Sequence, residues 1–264
     1  MTNRTKTDES DWQLKHYANV GKAYGEKHFT DAESVYTKWI LDQISSTHPA
    51  AQSIAEVGAG TCVFASLLGK QMQATSKVVC YEPVKELLEG ASEFDNVEPH
   101  CGGAIEFACE ASDDSFDLIF TKDTAHHFAA DTLAAIHEGF CEKLKPGGRY
   151  AMVVRTPPDN EVVPVGRIAS EKWASLYTPL GQLVTAMRSV KGWKEVDFTR
   201  WEQPVRTSAK EWIDGVINQD TWSVFSALSA DEVTKTVQEL ESKFADAAEF
   251  EFVHQYDVAV YEKQ

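Results

Sequence analysis

Between residues 53 and 154, short runs of Val, Ile, Phe and Tyr alternate with stretches long enough for a helix, and this alternation restricts the fold more than any other feature. The apolar runs cover residues 53–57, 77–81, 116–121 and 150–154 and have strand length. Between them lie three helix-length stretches, 62–73, 84–91 and 131–144, and Lys145-Pro146-Gly147-Gly148 is expected to stop the last. Parallel strands need crossover connections, so the pattern predicts a parallel sheet with helices on both faces. An amphipathic helix over residues 31–45 precedes it, with Asp31 as its cap and Val35, Tyr36, Trp39, Ile40 and Ile44 at three- to four-residue spacings.

The second half is less regular. One long helix is expected over residues 169–190, a half-buried strand over 195–201, and helices over 208–218 and 231–244. The closing stretch, 250–261, reads as a bent strand or hairpin. It follows no helix-length crossover of its own halves, so antiparallel pairing is plausible there. No repeat or Gly/Ser linker divides the chain, which is expected to be one elaborated domain.

Charge removes several function classes. The 264 residues carry 41 Asp+Glu against 25 Lys+Arg, a formal charge of −16 that repels phosphate backbones and disfavours nucleic-acid partners. No apolar run reaches the roughly 18 to 20 residues that span a bilayer, and the opening residues lack a signal peptide's apolar stretch. Neither a membrane nor a secreted protein is expected. The five cysteines, Cys62, Cys80, Cys101, Cys109 and Cys141, are odd in number and lack metal-ligand spacing. They read as reduced thiols of a cytoplasmic protein without a metal.

The chemistry concentrates in four stretches. Ile54-Ala55-Glu56-Val57-Gly58-Ala59-Gly60-Thr61-Cys62 runs from a strand through a glycine turn into a helix, whose first N–H groups can meet a nucleotide-like ligand. Val63 spoils the dinucleotide fingerprint, which weakens a hydride-transfer reading. Glu56, at the end of a buried strand, needs donors and points to a ligand ammonium. About 20 residues on, Glu82 ends the second strand before Pro83, where a carboxylate can accept both ribose hydroxyls. Ser115-Phe116-Asp117-Leu118 leads to Thr121-Lys122-Asp123 and Ala125-His126-His127-Phe128, and Leu144-Lys145-Pro146-Gly147-Gly148 comes last. The histidines could be a metal pair, a general base or packing residues, and successive residues leaving a strand are expected to point in different directions.

In order and spacing these stretches resemble the small-molecule branch of class I S-adenosylmethionine-dependent methyltransferases. The resemblance covers roughly residues 17–154 and implies a Rossmann-like, seven-stranded, mostly parallel sheet with an antiparallel last strand and a helical cover. It divides the single domain into a cover and first helix (1–45), a cofactor-binding core (46–155), and a substrate cover with closing strands (156–264). It implies S-adenosyl-L-methionine as cofactor and S-adenosyl-L-homocysteine as product. The methionine end falls to Glu56, Gly58, Ala59 and Gly60, and the ribose to Glu82 with Pro83. The adenine falls to Gly103, Ala104 and Ile105, while Thr121 and Lys122 would pass backbone atoms under the cofactor. Tyr17 and Tyr24 would close over its carboxylate. His126 and His127 are the candidate catalytic pair. Cys62 stands where the family's third glycine is usual, and Gly103 replaces its adenine-loop aspartate.

The acceptor is read from charge. Five of the seven arginines, Arg155, Arg167, Arg188, Arg200 and Arg206, follow the fourth apolar run. Residues 155–210 hold nine basic and six acidic groups, a local excess of +3 in a chain of −16. Arginine's planar fork suits carboxylates and phosphates, so a small anionic acceptor held by Arg155 and Arg206 is expected. Surface ion pairs are the rival explanation. The run Arg206-Thr207-Ser208-Ala209-Lys210-Glu211-Trp212 is similar to the branch that includes trans-aconitate methyltransferases. A neutral or cationic acceptor among the tryptophans, or a non-catalytic relative, are the alternatives. A monomer or homodimer is expected.

Overall fold

The computed structural model describes residues 13–19, 34–155, 163–217, 223–245 and 247–264. Seven strands form one sheet: β1 (Ile54–Val57), β2 (Val78–Glu82), β3 (Val97–Cys101), β4 (Phe116–Lys122), β5 (Leu144–Arg155), β6 (Trp193–Thr207) and β7 (Phe250–Lys263). Their spatial order is β3-β2-β1-β4-β5-β7-β6. The first five pair in parallel, and β7 runs antiparallel to both β5 and β6. The order reverses direction between β1 and β4, which opens a crevice beyond their C-terminal ends.

Period-two alternation sorts each strand's side chains between two cores. Leu118 and Phe120 face helices α2 (Val35–Thr47) and α3 (Val63–Gln71), with Ile40, Ile44, Phe64 and Leu68 in that layer. Ile119, Tyr150 and Met152 face the opposite layer. There α4 (Ala104–Glu110), α5 (Leu133–Lys143) and α7 (Leu180–Ser189) supply Phe107, Phe140 and Leu183. A third core, around Trp173, Trp212, Phe225 and Leu240, joins α6 (Arg167–Leu176), α8 (Ala209–Ile217) and α9 (Ala230–Lys243) to the start of β7. This is the cover. A short helix, α1 (13–19), completes the described elements. Full burial of one such side chain stabilises by roughly 1.5–3 kcal/mol.

Several elements differ from the sequence expectation for identifiable reasons. The first long helix starts at Val35, capped by the Ser34 hydroxyl, which accepts from Thr37 N; Asp31 lies outside the described residues. Residues 85–93 form 3₁₀ turns rather than an α-helix. The long helix expected over 169–190 is two, because Pro179 interrupts it and caps α7. The helix before Lys145-Pro146-Gly147-Gly148 ends at Lys143, as expected, and those four residues then form a bulge inside β5. Phe116 pairs with Leu144 and Leu118 with Arg149, which leaves those four residues opposite one. A Cβ on Gly148 would lie 2.8 Å from Lys145 O, so only glycine fits there. Strand β3 and helix α4 went unread, because Val97–Cys101 is largely exposed and α4 is short. The closing stretch is a single long strand, and β6 extends from 193 to 207.

Asp117 of the Ser-Phe-Asp-Leu stretch has a structural task. Its Oδ2 accepts from Gln52 N, Ser53 N and Ser53 Oγ, each at 2.9 Å, and its Oδ1 from Lys145 Nζ at 2.7 Å. One carboxylate thus pins the entrance of β1 to β4 and to the β5 bulge.

Candidate functional site

The crevice beyond β1 and β4 is a cleft with about 1140 Å³ of empty space, counting its open mouth. Its floor is the turn after β1. Gly58 N and Ala59 N both donate to Tyr81 O, at 2.7 and 3.0 Å, which ties the turn to the end of β2. Gly58 and Gly60 have φ of +78° and +55°, values that L side chains rarely adopt. A Cβ on Gly60 would meet nothing within 4 Å, so that backbone faces open space where a ligand can approach. Cys62, at the usual third-glycine position, also takes a left-handed φ, +63°, and keeps its side chain fully buried.

Glu82 closes one wall. Its Oε2 accepts from Gly60 N at 2.8 Å and its Oε1 from Val84 N at 2.9 Å, so the carboxylate holds the glycine turn in place. Burial raises its pKa, and those two N–H groups oppose the rise. An ionised carboxylate has about four acceptor positions. Two remain for ligand hydroxyls. Beside it, Gly103 N donates to Glu106 Oε2 at 2.8 Å where α4 begins, and Gly103 and Ala104 line the cleft with Pro83. Ile105 is not among the lining residues; it is exposed on the outer side of α4.

The opposite wall carries the charges. Glu56 is buried, its Oε2 has no hydrogen-bond partner, and burial pushes its pKa well up against the pull of Lys122. Lys122 Nζ lies 3.0 Å from Asp123 Oδ2 and sits over the Tyr36 and Phe64 rings at 5.7 and 5.5 Å. Asp123 also accepts from Tyr36 OH at 2.6 Å. Burial works against its charge, but Lys122, Arg155 and Tyr36 outweigh that and hold the carboxyl below the usual range. The Thr121 side chain turns into the core, its hydroxyl 2.9 Å from Tyr150 OH.

Beyond Thr124 a 3₁₀ turn, Ala125–His127, brings the two histidine rings to 4.2 Å, both against one aromatic wall rather than in different directions. His126 packs on Trp173 and Tyr177, and His127 on Tyr177 and Tyr17. Desolvation pushes His126 down to about 4 and His127 well below its ordinary value, so both are neutral imidazoles near pH 7. The cover docks here: Thr178 N donates to His126 O at 2.9 Å and Thr178 Oγ1 to Phe128 O at 2.7 Å. From α1, Tyr17 lies over the mouth with its hydroxyl 3.5 Å from His127 Nε2, and Gln13 and Leu14 line the cleft beside it. Burial pushes the Tyr17 hydroxyl up to about 12. Tyr24 lies outside the described residues.

The arginines divide sharply. Arg167 pairs with Glu171, Arg188 with Glu195, Arg200 with Asp257 through two hydrogen bonds of 2.7 and 3.0 Å, and Arg206 with Glu249. Arg206 is therefore not brought to the cleft; it belongs to an ion pair on the edge strand. The run from Arg206 to Trp212 owes its pattern to a helix cap, in which Ser208 Oγ and N donate to Glu211 Oε2 and Glu211 N donates to Ser208 Oγ. Arg155 ends β5 and is not among the residues that line the cleft; its guanidinium lies 5.4 Å from the Tyr256 ring centroid, and its charge is felt by Asp123, His126 and Tyr17.

Sequence reasoning missed Phe64, Val84, Leu87, Thr124 and Phe128 as lining residues, because apolar side chains in a pocket and in a core look alike. It quoted Asp123 without assigning it a role. The left-handed φ of +52° at Asp123 became legible only in the structure.

A family model described as a methyltransferase domain matches residues 54–148. Among solved structures, a geranyl diphosphate C-methyltransferase from Streptomyces coelicolor is similar over 98% of this chain and 100% of its own, at 12% identity and a TM-score of 0.58. That protein was crystallised with Mg²⁺, geranyl diphosphate and S-adenosyl-L-homocysteine. The YcgJ protein of Bacillus subtilis is similar over 86% of this chain and 97% of its own, at 18% identity and a TM-score of 0.59. A Bacillus halodurans protein described as a methyltransferase is similar over 84% and 98%, at 16% identity and a TM-score of 0.59. No curated protein sequence matches the chain. At these identities the structural likeness is one of fold.

Proposed function

Since residues 54–148 form a methyltransferase domain of the S-adenosylmethionine-dependent class, we propose that this chain methylates a small acceptor that carries an anionic group, with Arg155 facing that group. The observation that carries the cofactor part is the buried, unpartnered Glu56 Oε2 beside the open cradle at Gly60. A ligand ammonium would satisfy the first and a close backbone approach the second. In this reading Glu56, Gly58, Ala59 and Gly60 hold the methionine end. Glu82 takes the ribose hydroxyls on its two remaining acceptor positions, and Gly103 and Ala104 border the adenine. When bound, the cofactor supplies an electrophilic methyl group whose sulfur leaves as a neutral thioether.

The chain's own residues then have three tasks. The Tyr17 helix and the cover exclude water, the Asp123–His127 turn positions the acceptor, and Arg155 orients its anionic end. Support for Arg155 is its place at the C-terminal end of β5, where its charge is felt by Asp123, His126 and Tyr17. His126 and His127 act in this scheme as a neutral wall. Their desolvation makes them weak bases near pH 7, which disfavours the general-base role that the sequence allowed. Among the described residues no helix is long and apolar enough to cross a membrane. A cytoplasmic location is part of the proposal, supported by the odd number of cysteines.

Titration with S-adenosylhomocysteine in a calorimeter tests the cofactor half; micromolar or tighter binding is expected, and no heat at millimolar ligand would refute it. Incubation with labelled S-adenosylmethionine and a panel of acidic and neutral metabolites tests the acceptor half. Transfer only to acceptors that lack an acid group would remove Arg155 from it.

A further inference from the structure

We propose that Asp123 is the acceptor-recognising carboxylate of this enzyme and that the atom methylated is an amine nitrogen, whose N–H it receives on Oδ1. The inference rests on the methyltransferase reading above and adds the nucleophile to it. Its starting point is an asymmetry within one carboxylate. Oδ2 accepts from Tyr36 OH at 2.6 Å and Lys122 Nζ at 3.0 Å, whereas Oδ1 is buried and has no hydrogen-bond partner. A buried charged oxygen left without a donor is costly, and a ligand N–H at the cleft is one way to complete it. Asp123 is among the residues that line the cleft.

The backbone holds this arrangement. Asp123 N donates to Val153 O at 3.0 Å, and the residue takes a φ of +52°, a conformation that L residues adopt rarely and aspartate more readily than most. Two unpartnered carboxylate oxygens therefore flank Lys122, and their surroundings separate their tasks. Glu56 senses Cys62 and Glu82 on the glycine-turn side. Asp123 senses Arg155 of β5 and binds Tyr36 of α2, away from the glycine turn. The first suits the cofactor's ammonium and the second an acceptor.

The choice of nitrogen follows from which bases are present. A hydroxyl acceptor must lose its proton as it attacks, and the carboxylate it would meet already accepts from Tyr36 OH and Lys122 Nζ at 2.6 and 3.0 Å, which makes it a weak base. An aliphatic amine, an ammonium in water near pH 7, gives one proton to water as it binds in its neutral form and then needs no base in the site. Its lone pair forms the new N–C bond as the S–C bond breaks with its electron pair passing to sulfur, and the ammonium so formed sheds one proton to water. Together with Arg155, Asp123 describes an acceptor with an amine at one end and an acid group at the other.

The test pairs a variant with a product. In Asp123→Asn the shape is kept and the charge lost. S-adenosylhomocysteine affinity should stay within threefold of wild type, while kcat/KM for the best amine falls at least thirtyfold. Equal losses in both would move Asp123 to the cofactor, and a normal kcat/KM would overturn the proposal. Independently of any variant, wild-type protein is given labelled S-adenosylmethionine with amino acids, primary and secondary amines, phenols, alcohols and dicarboxylates, and the labelled product is identified. An N-methyl product is expected. An O-methyl product, or no product from protein that binds S-adenosylhomocysteine, would overturn it. Wild-type protein that fails to bind S-adenosylhomocysteine would instead sink the underlying methyltransferase reading.

Discussion

Thr124 and Gly58 lock two loops of the cleft together: Thr124 Oγ1 donates to Gly58 O at 3.2 Å, and a Cβ on Gly58 would lie 2.1 Å from the Thr124 methyl carbon. The glycine turn after β1 and the Lys122–His127 turn after β4 therefore cannot move independently. This contact couples the floor proposed for the cofactor to the wall proposed for the acceptor.

Gly58→Ala should disrupt both at once. The left-handed φ costs a side chain about 1–2 kcal/mol, and the overlap with Thr124 adds to it, since neither turn has room to yield. We expect urea unfolding to show a loss of at least ~2 kcal/mol and calorimetry at least a tenfold weaker S-adenosylhomocysteine complex. Wild-type values for both would contradict the locked arrangement.

Glu82→Ala removes the acceptor for Gly60 N and Val84 N as well as the two positions assigned to ribose hydroxyls. Hydrogen bonds to a charged acceptor are worth roughly 1.5–3 kcal/mol each, so cofactor affinity should fall more than tenfold. Glu82→Gln should lose less, because its amide oxygen can keep one backbone contact. Equal affinities for wild type and Glu82→Ala in calorimetry would discard the ribose assignment.

Arg155→Lys and Arg206→Lys should separate site from surface. Lysine keeps the charge and loses the fork, so Arg155→Lys is expected to raise KM for an anionic acceptor about tenfold with S-adenosylhomocysteine binding unchanged. Arg206 is paired with Glu249 on an edge strand, and its variant should match wild type in both measurements. Steady-state kinetics on the two variants decides.

His137 makes stability depend on pH. It is fully buried, neither ring nitrogen has a partner, and desolvation pushes it down to about 4 from an ordinary 6.5. Its folded pKa is depressed, so the unfolded chain binds more protons between pH 6.5 and 4. The stability is fully present above 6.5 and drains as pH falls toward 4, by about 3 kcal/mol in all. His137→Phe should flatten that part of the stability curve. An unchanged slope in urea melts between pH 6.5 and 4 would assign the acid sensitivity elsewhere.

Residues 54–155 announce their fold because local pattern and tertiary structure agree there. Fully buried parallel strands read as apolar runs, and a strand that turns through Gly58 and Gly60 into a helix must leave backbone N–H groups facing a crevice. Glu56 and Glu82 stood out for the same reason, since a carboxylate at the end of a buried strand needs a partner that its neighbours in sequence do not supply. The arginine cluster misled because charge counts ignore pairing. The acids that take up Arg167, Arg188, Arg200 and Arg206 stand between 4 and 57 residues away in sequence, and only folding brings them together. The Pro179 break, the β5 bulge at Gly148 and the outward turn of Ile105 were likewise set by packing. Asp123 is the clearest case. Its sequence neighbours say nothing of its role, which arises when Tyr36, Lys122 and Arg155 act on one carboxylate and leave a single oxygen without a donor.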